Sequence, residues 1–343
     1  MLTVDGVIVS ELGLNHWDST TPSRLAADVA RAEALGYTHA LIGSNSLRLW
    51  DSYILLALAA QSTRQIRLAP FIDNPVLRHP TVIAGSIATV DHISQGRAEL
   101  VLSVGGTSVR FAGRRPATIA QLERATVLTR QLLAGEHVEV GAERPAHLVH
   151  HRPVPVWLAA TGPKSLRLAG RVADGVYLRV GRDSANLRAA IAAVHAGADE
   201  AGRDHGEIRI GLVLHTITSQ RTDEIAAIAR SLAAGYYEYS PSLFERAGIE
   251  WVGPDIGQLQ EQVWPSFHHA ADLVAAGEIV SFLPERAAAG FSLFGAPRDI
   301  AAQLRAAIEV IGRVDVVIPQ PVTTPDSGSD FAQWFAQDVW PLV

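Results

Sequence analysis

Short apolar runs alternate with longer amphipathic stretches along most of the chain. The apolar runs cover residues 4–9, 40–42, 66–72, 98–104, 156–160, 208–217 and 314–318, with another beginning at Gly175. Their length and continuity predict strands buried on both faces. Helical spacing predicts helices over residues 22–35, 51–61, 80–93, 117–133, 183–201, 222–234 and 297–311, one opening at Pro163, and a terminal helix near 331–340. Eight strands each followed by a helix predict an α/β fold, the (β/α)8 TIM barrel. An open doubly wound sheet is the alternative, disfavoured because no G-x-G-x-x-G follows the first strand. Two stretches break the alternation. Residues 137–153 carry a V-x-V run and prolines, an excursion before strand five; residues 235–293 form a longer insertion between strands seven and eight, placed to cap a pocket at the barrel mouth. Neither reads as a linker, so residues 1–343 are expected to form one domain.

Composition narrows the chemistry. With 48% apolar and 19% charged residues the chain reads as a globular enzyme. A net charge of −6 and only 6% aromatic residues give no footprint for nucleic acid. The absence of cysteine removes disulfides, thiolate metal sites and thiol nucleophiles. No apolar run reaches membrane-spanning length and no signal sequence opens the chain, so no membrane partner is expected and the cytoplasm is the expected compartment.

The most informative stretch is V-W-L-A-A-T-G-P-K-S-L-R-L-A-G-R-V-A-D-G, residues 156–175. It reads as strand, tight turn, helix and the start of another strand. Thr161 and Gly162 suit the turn and Pro163 the first helical position. The free N–H groups of such a helix, with its dipole, favour a phosphate or carboxylate beyond the strand end. Lys164 is the only lysine in the chain. A cation there opposes the dipole unless an anion sits between, which points to a phosphate anchor; the alternative is a surface lysine left in an arginine-rich chain. Because barrels of this kind place their sites at the C-terminal strand ends, the candidates are Ser10, Glu11 and His16; Ser44 and Asn45; Asp73 and Asn74; residues 105–108; Thr161 to Lys164; Arg179 and Gly181; and residues 215–218. Glu11 and His16 are the acid/base candidates, with a solvated loop as the alternative reading. Arg78 and Asp174 read as structural. The pairs His150–His151 and His268–His269 lack the i, i+4 spacing that brings two ligands onto one metal, and no G-x-S-x-G supports acyl-enzyme chemistry.

Three segments together resemble the bacterial luciferase-like superfamily: R-H-P-T-V-I-A at 78–84, A-T-V-D-H-I-S-Q-G-R at 88–97, and V-L-S-V-G-G at 101–106. A-A-T-G-P-K at 159–164, A-G-R-V-A-D-G at 169–175 and P-F-I-D-N-P-V-L-R-H-P at 70–80 are similar to its coenzyme F420-dependent branch, the methylenetetrahydromethanopterin reductase type. The resemblance is weakest over residues 235–285. It implies a barrel, often a homodimer, whose mouth holds the deazaflavin. Thr161, Gly162, Pro163 and Lys164 would hold the ribityl-phosphate side, and Asn74, Gly106 and Thr107 would contact the ring or ribityl chain. A cis peptide on strand three would fall at Phe71–Ile72. After strand two, related dehydrogenases carry an Asp–His pair where this chain has Ser44–Asn45, and the sugar-phosphate dehydrogenases carry an acid where Ser108 stands. The losses argue against alcohol oxidation, which needs a base, and for hydride transfer to a C=N or polarised C=C bond of a small organic substrate. The alternatives are an FMN-dependent monooxygenase supplied by a partner reductase, and a flavin-binding barrel without turnover.

Overall fold

The computed structural model describes residues 2–4, 7–16, 21–218, 221–322 and 330–343, with side chains described from residue 21 onward. Eight parallel strands form the barrel: β1 (Val7–His16), β2 (His39–Gly43), β3 (Arg67–Phe71), β4 (Leu100–Leu102), β5 (Val156–Ala160), β6 (Gly175–Leu178), β7 (Arg209–Ile217) and β8 (Arg313–Val322). Their order around the sheet is β3-β2-β1-β8-β7-β6-β5-β4. Bridges Leu68–Ala98 and Asp73–Leu102 join β4 back to β3, so the sheet closes. Backbone bonds from Glu99 N to Leu68 O (2.9 Å) and from Ser103 N to Asp73 O (3.0 Å) make that seam. A helix follows each of β1 to β7, namely α1 (Pro22–Ala34), α2 (Ser52–Ser62), α3 (Pro80–Ser94), α4 (Ile119–Leu133), α5 (Pro163–Val172), α6 (Ser184–Glu200) and α7 (Thr222–Tyr239), and α8 (Pro297–Ile311) leads into β8. Side-chain caps fix several starts, as where Asp51 accepts from Tyr53 N and Asp183 from Ala185 N.

Two main cores hold this together, with a smaller cluster of Ile217, Ile228 and Leu232 between β7 and α7. The larger lies between the strands and the helices, and a second fills the barrel interior with Leu41, Phe71, Val101, Trp157, Tyr177, Val213 and Val316 among others. Trp157 stacks on Tyr177 at 4.6 Å, and Phe71 meets Tyr177 edge-on at 5.8 Å. A side chain at Gly175 would overlap the Trp157 ring, and one at Gly211 the Tyr177 ring, so two glycines make room for two large aromatics. The N-terminal end of the barrel is closed by a buried charge. Glu99, fully buried, lies 3.1 Å from Arg209, 3.5 Å from Arg67 and 3.7 Å from His39.

Element limits depart from the sequence reading at three strands. The first runs to His16 rather than stopping at residue 9, with Leu2–Val4 folded back on it as an antiparallel arm. Its polar positions break the apolar run but not the strand, because Val9 pairs with Val314 on one side and Leu14 with Ala40 on the other. The fourth is shorter than expected and the eighth longer. In the segment before β5, Val138 pairs with Ala146 across a single antiparallel bridge. In the segment between β7 and β8, α7 extends to Tyr239 and four short helices follow: Ser242–Arg246, Ile256–Gln260, Leu273–Ile279 and Glu285–Phe291.

Candidate functional site

A cavity of about 490 Å³ opens at the C-terminal ends of the strands. That is the size of a pocket for a cofactor ring or a small substrate. Ser44, Asn45, Phe71, Ile72, Gly106, Thr107, Thr161, Gly162, Pro163 and Lys164 all line it. The barrel brings them together because each follows, or ends, one of the strands β2 to β5.

Its β5 corner is the start of helix α5. Gly162 is the N-cap of α5 and provides no side-chain cap, which leaves the first N–H groups of the helix unbound by a capping oxygen. Ser165 Oγ donates to Gly162 O at 2.9 Å and ties the turn down. Lys164 is exposed at the mouth, and it takes part in no ion pair among the described residues. Across the cavity the Phe71–Ile72 peptide is cis, as the resemblance implied. Asn45 Oδ1 is buried there without a hydrogen-bond partner. Gly106, which opens the short helix Thr107–Phe111, likewise lacks a side-chain cap. An uncapped helix start beside an unpaired lysine, with an apolar hollow and an orphaned amide oxygen next to it, fits a planar ring on a phosphorylated chain.

The side of the cavity formed by β6 to β8 is different. Arg179, just past β6, is 9% exposed and donates to Gln320 Oε1 at 3.0 Å. His215, late in β7, is buried, with Tyr236 Oη 3.4 Å from its Nδ1. Burial first, then Arg179, keeps the His215 pKa well below the ordinary imidazole range. His269 lines the cavity from the segment between β7 and β8, and its Nδ1 lies 3.0 Å from Thr107 Oγ1 and 3.1 Å from Ser266 Oγ. Burial and Arg179 lower its pKa to about 4, so at neutral pH it is an uncharged hydrogen-bonding group.

Other candidates fall elsewhere. Asn74 borders a smaller neighbouring cavity of about 150 Å³. Its Oδ1 accepts from Val76 N (3.2 Å) and Leu77 N (3.0 Å) while its Nδ2 donates to Ser108 Oγ (3.3 Å), so it shapes the turn after β3. Asp73 accepts from Tyr53 Oη at 2.7 Å, and burial raises its pKa. Arg78 pairs with Asp51 and lies over the Tyr53 ring at 5.0 Å, while Asp174 pairs with Arg130 and accepts from Val156 N. Both do structural work. Glu11 lies within β1, level with Val316, and His16 is its last residue, level with Ile42. Neither belongs to a loop after the strand, as the sequence reading had them, and their side chains lie outside the described residues.

Tyr239 and His269 also line the cavity and were not among the sequence candidates. Both come from the part of the chain with the weakest resemblance, and neither follows a strand. In the sequence His269 stands only as half of an adjacent pair whose spacing does not suit a metal. No local pattern marks either one; the return of the chain over the barrel mouth brings them in.

A closed parallel barrel with an uncapped helix start beside an apolar hollow at its strand ends defines a cofactor-binding β/α barrel. The chain belongs to the luciferase-like monooxygenase family, whose model matches residues 7–313. It is 27% identical to the 5,10-methylenetetrahydromethanopterin reductase of Methanopyrus kandleri over 88% of this chain and 96% of that protein. It is 31% identical to the F420-dependent hydroxymycolic acid dehydrogenase of Mycobacterium tuberculosis over 56% and 58% of the two chains. The fold is similar to that of the coenzyme F420-dependent tetrahydromethanopterin reductase from Methanopyrus kandleri, with a TM-score of 0.76, 23% identity, and 97% and 99% of the two chains covered. Among the described residues, no helix is long and apolar enough to cross a membrane.

Proposed function

We propose that the chain is a coenzyme F420-dependent oxidoreductase that reduces a C=N or polarised C=C bond of a small organic molecule. The observation that carries this reading is the uncapped α5 start with Lys164, opening onto the same cavity as Phe71–Ile72. The name of the Methanopyrus kandleri relative supports the choice of reduction, and that of the Mycobacterium tuberculosis relative the choice of F420. Thr161, Gly162 and Lys164 would hold the phosphate, and Ser44, Asn45, Phe71, Ile72, Gly106 and Thr107 would surround the ring. The cofactor, when bound, supplies hydride from its deazaflavin ring.

The protein's own part is to orient, exclude water and place a proton. Asn45 Oδ1 offers an acceptor where a ring N–H can satisfy it. Thr107 and Ser266 hold the His269 ring against the cavity, and the segment from 240 to 291 closes the mouth. The proton that accompanies hydride comes from Glu11, His16 or water. No imidazole stands at Ser44–Asn45 and no acid at Ser108, so the residues that would deprotonate an alcohol at those two positions are missing.

The test is a pair of fluorescence titrations, with F420 and with FMN. Saturable binding of F420, at least tenfold tighter than FMN, is expected. The second reading, an FMN monooxygenase fed by a partner reductase, draws on the description of the family itself. Oxygen uptake with reduced FMN, together with no binding of F420, would put that reading first.

A further inference from the structure

The cavity lining contains two permanent cations, Lys164 and Arg179, and no carboxylate among the described residues. Lys164 stands at the mouth on the β5 side, where the proposed phosphate accounts for it. Arg179 stands on the other side, and nothing in the proposed cofactor site accounts for it.

Its surroundings are unusual for a buried guanidinium. Its one hydrogen bond among the described residues is from Nη1 to the neutral Oε1 of Gln320, itself buried. It makes no ion pair among the described residues. The Phe71 ring centroid lies 5.8 Å from its Cζ. Among the described residues the titratable groups packed around this side are His215, His268, His269, Tyr236 and Tyr239, and none of these is an acid that could balance it. The three histidines are held neutral, by burial first and with Arg179 contributing to each. A guanidinium 9% exposed with no counter-charge among the described residues is costly. The cost falls once an anion enters the cavity beside it.

Position decides which anion. Residues at the ends of β2 to β5 surround the ring and phosphate in the functional reading above, on which this inference rests. Arg179, Gln320 and His215 sit at the ends of β6, β8 and β7, the sector that reading leaves for the substrate. We infer that Arg179 receives an anionic group of the substrate, a carboxylate or a phosphate, and thereby sets the orientation in which the reducible bond meets the ring. A planar guanidinium suits either anion through paired N–H donors.

The F420-loaded protein is titrated with benzoate and, separately, with benzamide, its uncharged isostere, following the absorbance of the bound deazaflavin. The same titrations are run on Arg179→Gln and Arg179→Lys, with thermal melts to confirm that each is folded. Wild type should prefer benzoate over benzamide by at least about tenfold, the scale of a charge-assisted hydrogen bond. In Arg179→Gln the preference should fall to within about twofold, and Arg179→Lys should keep part of it. The affinity of F420 itself should change by less than about threefold in both variants. The inference is overturned if wild type shows no preference for benzoate, including the case where neither probe binds. It is equally overturned if Arg179→Gln keeps the preference while losing F420 affinity tenfold, since that assigns the arginine to the cofactor. Should wild type not bind F420 at all, the cofactor reading fails separately, and the two titrations on the cofactor-free protein, read by tryptophan fluorescence, still decide the role of Arg179.

Discussion

Thr107 Oγ1 lies 3.0 Å from His269 Nδ1, joining the loop after β4 to the segment between β7 and β8 across the cavity. Ser266 Oγ approaches the same nitrogen at 3.1 Å, so two hydroxyls converge on Nδ1. The His269 pKa, lowered from 6.5 to about 4 by burial and then Arg179, has a signed consequence. Between about pH 6.5 and 4 the unfolded chain binds a proton at this residue and the folded chain does not. Stability is therefore present above pH 6.5 and declines as pH falls toward 4. His269→Gln should flatten part of that decline, by on the order of 1–3 kcal/mol at pH 4. Urea midpoints measured from pH 4 to 8 check it, and identical slopes in the two proteins would remove His269 as a cause.

Lys164→Ala should weaken F420 binding about ten- to hundredfold, or ~1–3 kcal/mol, the range for a hydrogen bond to a charged group. Lys164→Arg keeps the charge at the mouth and should retain most of the affinity. The effect on stability should be small, since Lys164 is exposed and has no ion-pair partner among the described residues. A dissociation constant unchanged in the alanine variant would dismiss the phosphate corner.

The strand–turn–helix at the β5 end was legible in the sequence because it is local: strand, Gly-Pro turn, helix and a sole lysine occupy consecutive positions. The barrel was legible for a related reason, since strands buried on both faces read as apolar runs. What escaped depends on long-range closure. β1 was cut short because Ser10 and Glu11 interrupt its apolar run, and only pairing with β8 and β2 makes residues 10–16 a strand. Arg179 stands out in the sequence only by its place after a strand, and its lack of a counter-charge among the described residues appears only once β6, β7 and β8 stand side by side. His269 and Tyr239 carried no pattern at all, because nothing local records which part of an irregular segment lies over a cavity.

Glu99, at the opposite end of the barrel, tests whether stability and function separate. Burial pushes its pKa up, but His39, Arg209 and Arg67 outweigh this and hold it below the usual carboxylate value. Removing the charge leaves two arginines and a histidine facing one another in a buried site. Glu99→Gln should cost roughly 3–5 kcal/mol at pH 7, the scale for breaking a buried pair. The loss should shrink as pH falls through the folded-state pKa of Glu99, because the wild-type carboxylate then also protonates. F420 affinity of the folded variant should be unchanged. Denaturation at two pH values and one binding titration settle it.

The position of the α5 start rests on the packing of α5 against α6, and that packing has no room for even a methyl group. A Cβ at Gly170 would overlap the Val194 carbonyl oxygen and sit 2.8 Å from Ala198 N, while one at Gly197 would overlap the Arg167 carbonyl oxygen. The obstacles are backbone atoms of the facing helix, so no rotamer change relieves them. Gly170→Ala or Gly197→Ala should therefore destabilise by roughly 1–3 kcal/mol despite the better helix propensity of alanine. Because the two helices must part to accept either methyl, the N-terminal turn of α5 should shift as well, and F420 affinity should fall in the folded variants. Gly85, in α3, is the control. Nothing lies within 4 Å of a Cβ there, so Gly85→Ala should be neutral or stabilise by about 0.5–1 kcal/mol through helix propensity alone. Urea denaturation of the three variants beside wild type gives the comparison. Equal stability of Gly170→Ala and Gly85→Ala would show that the helix contact is not what fixes the α5 start.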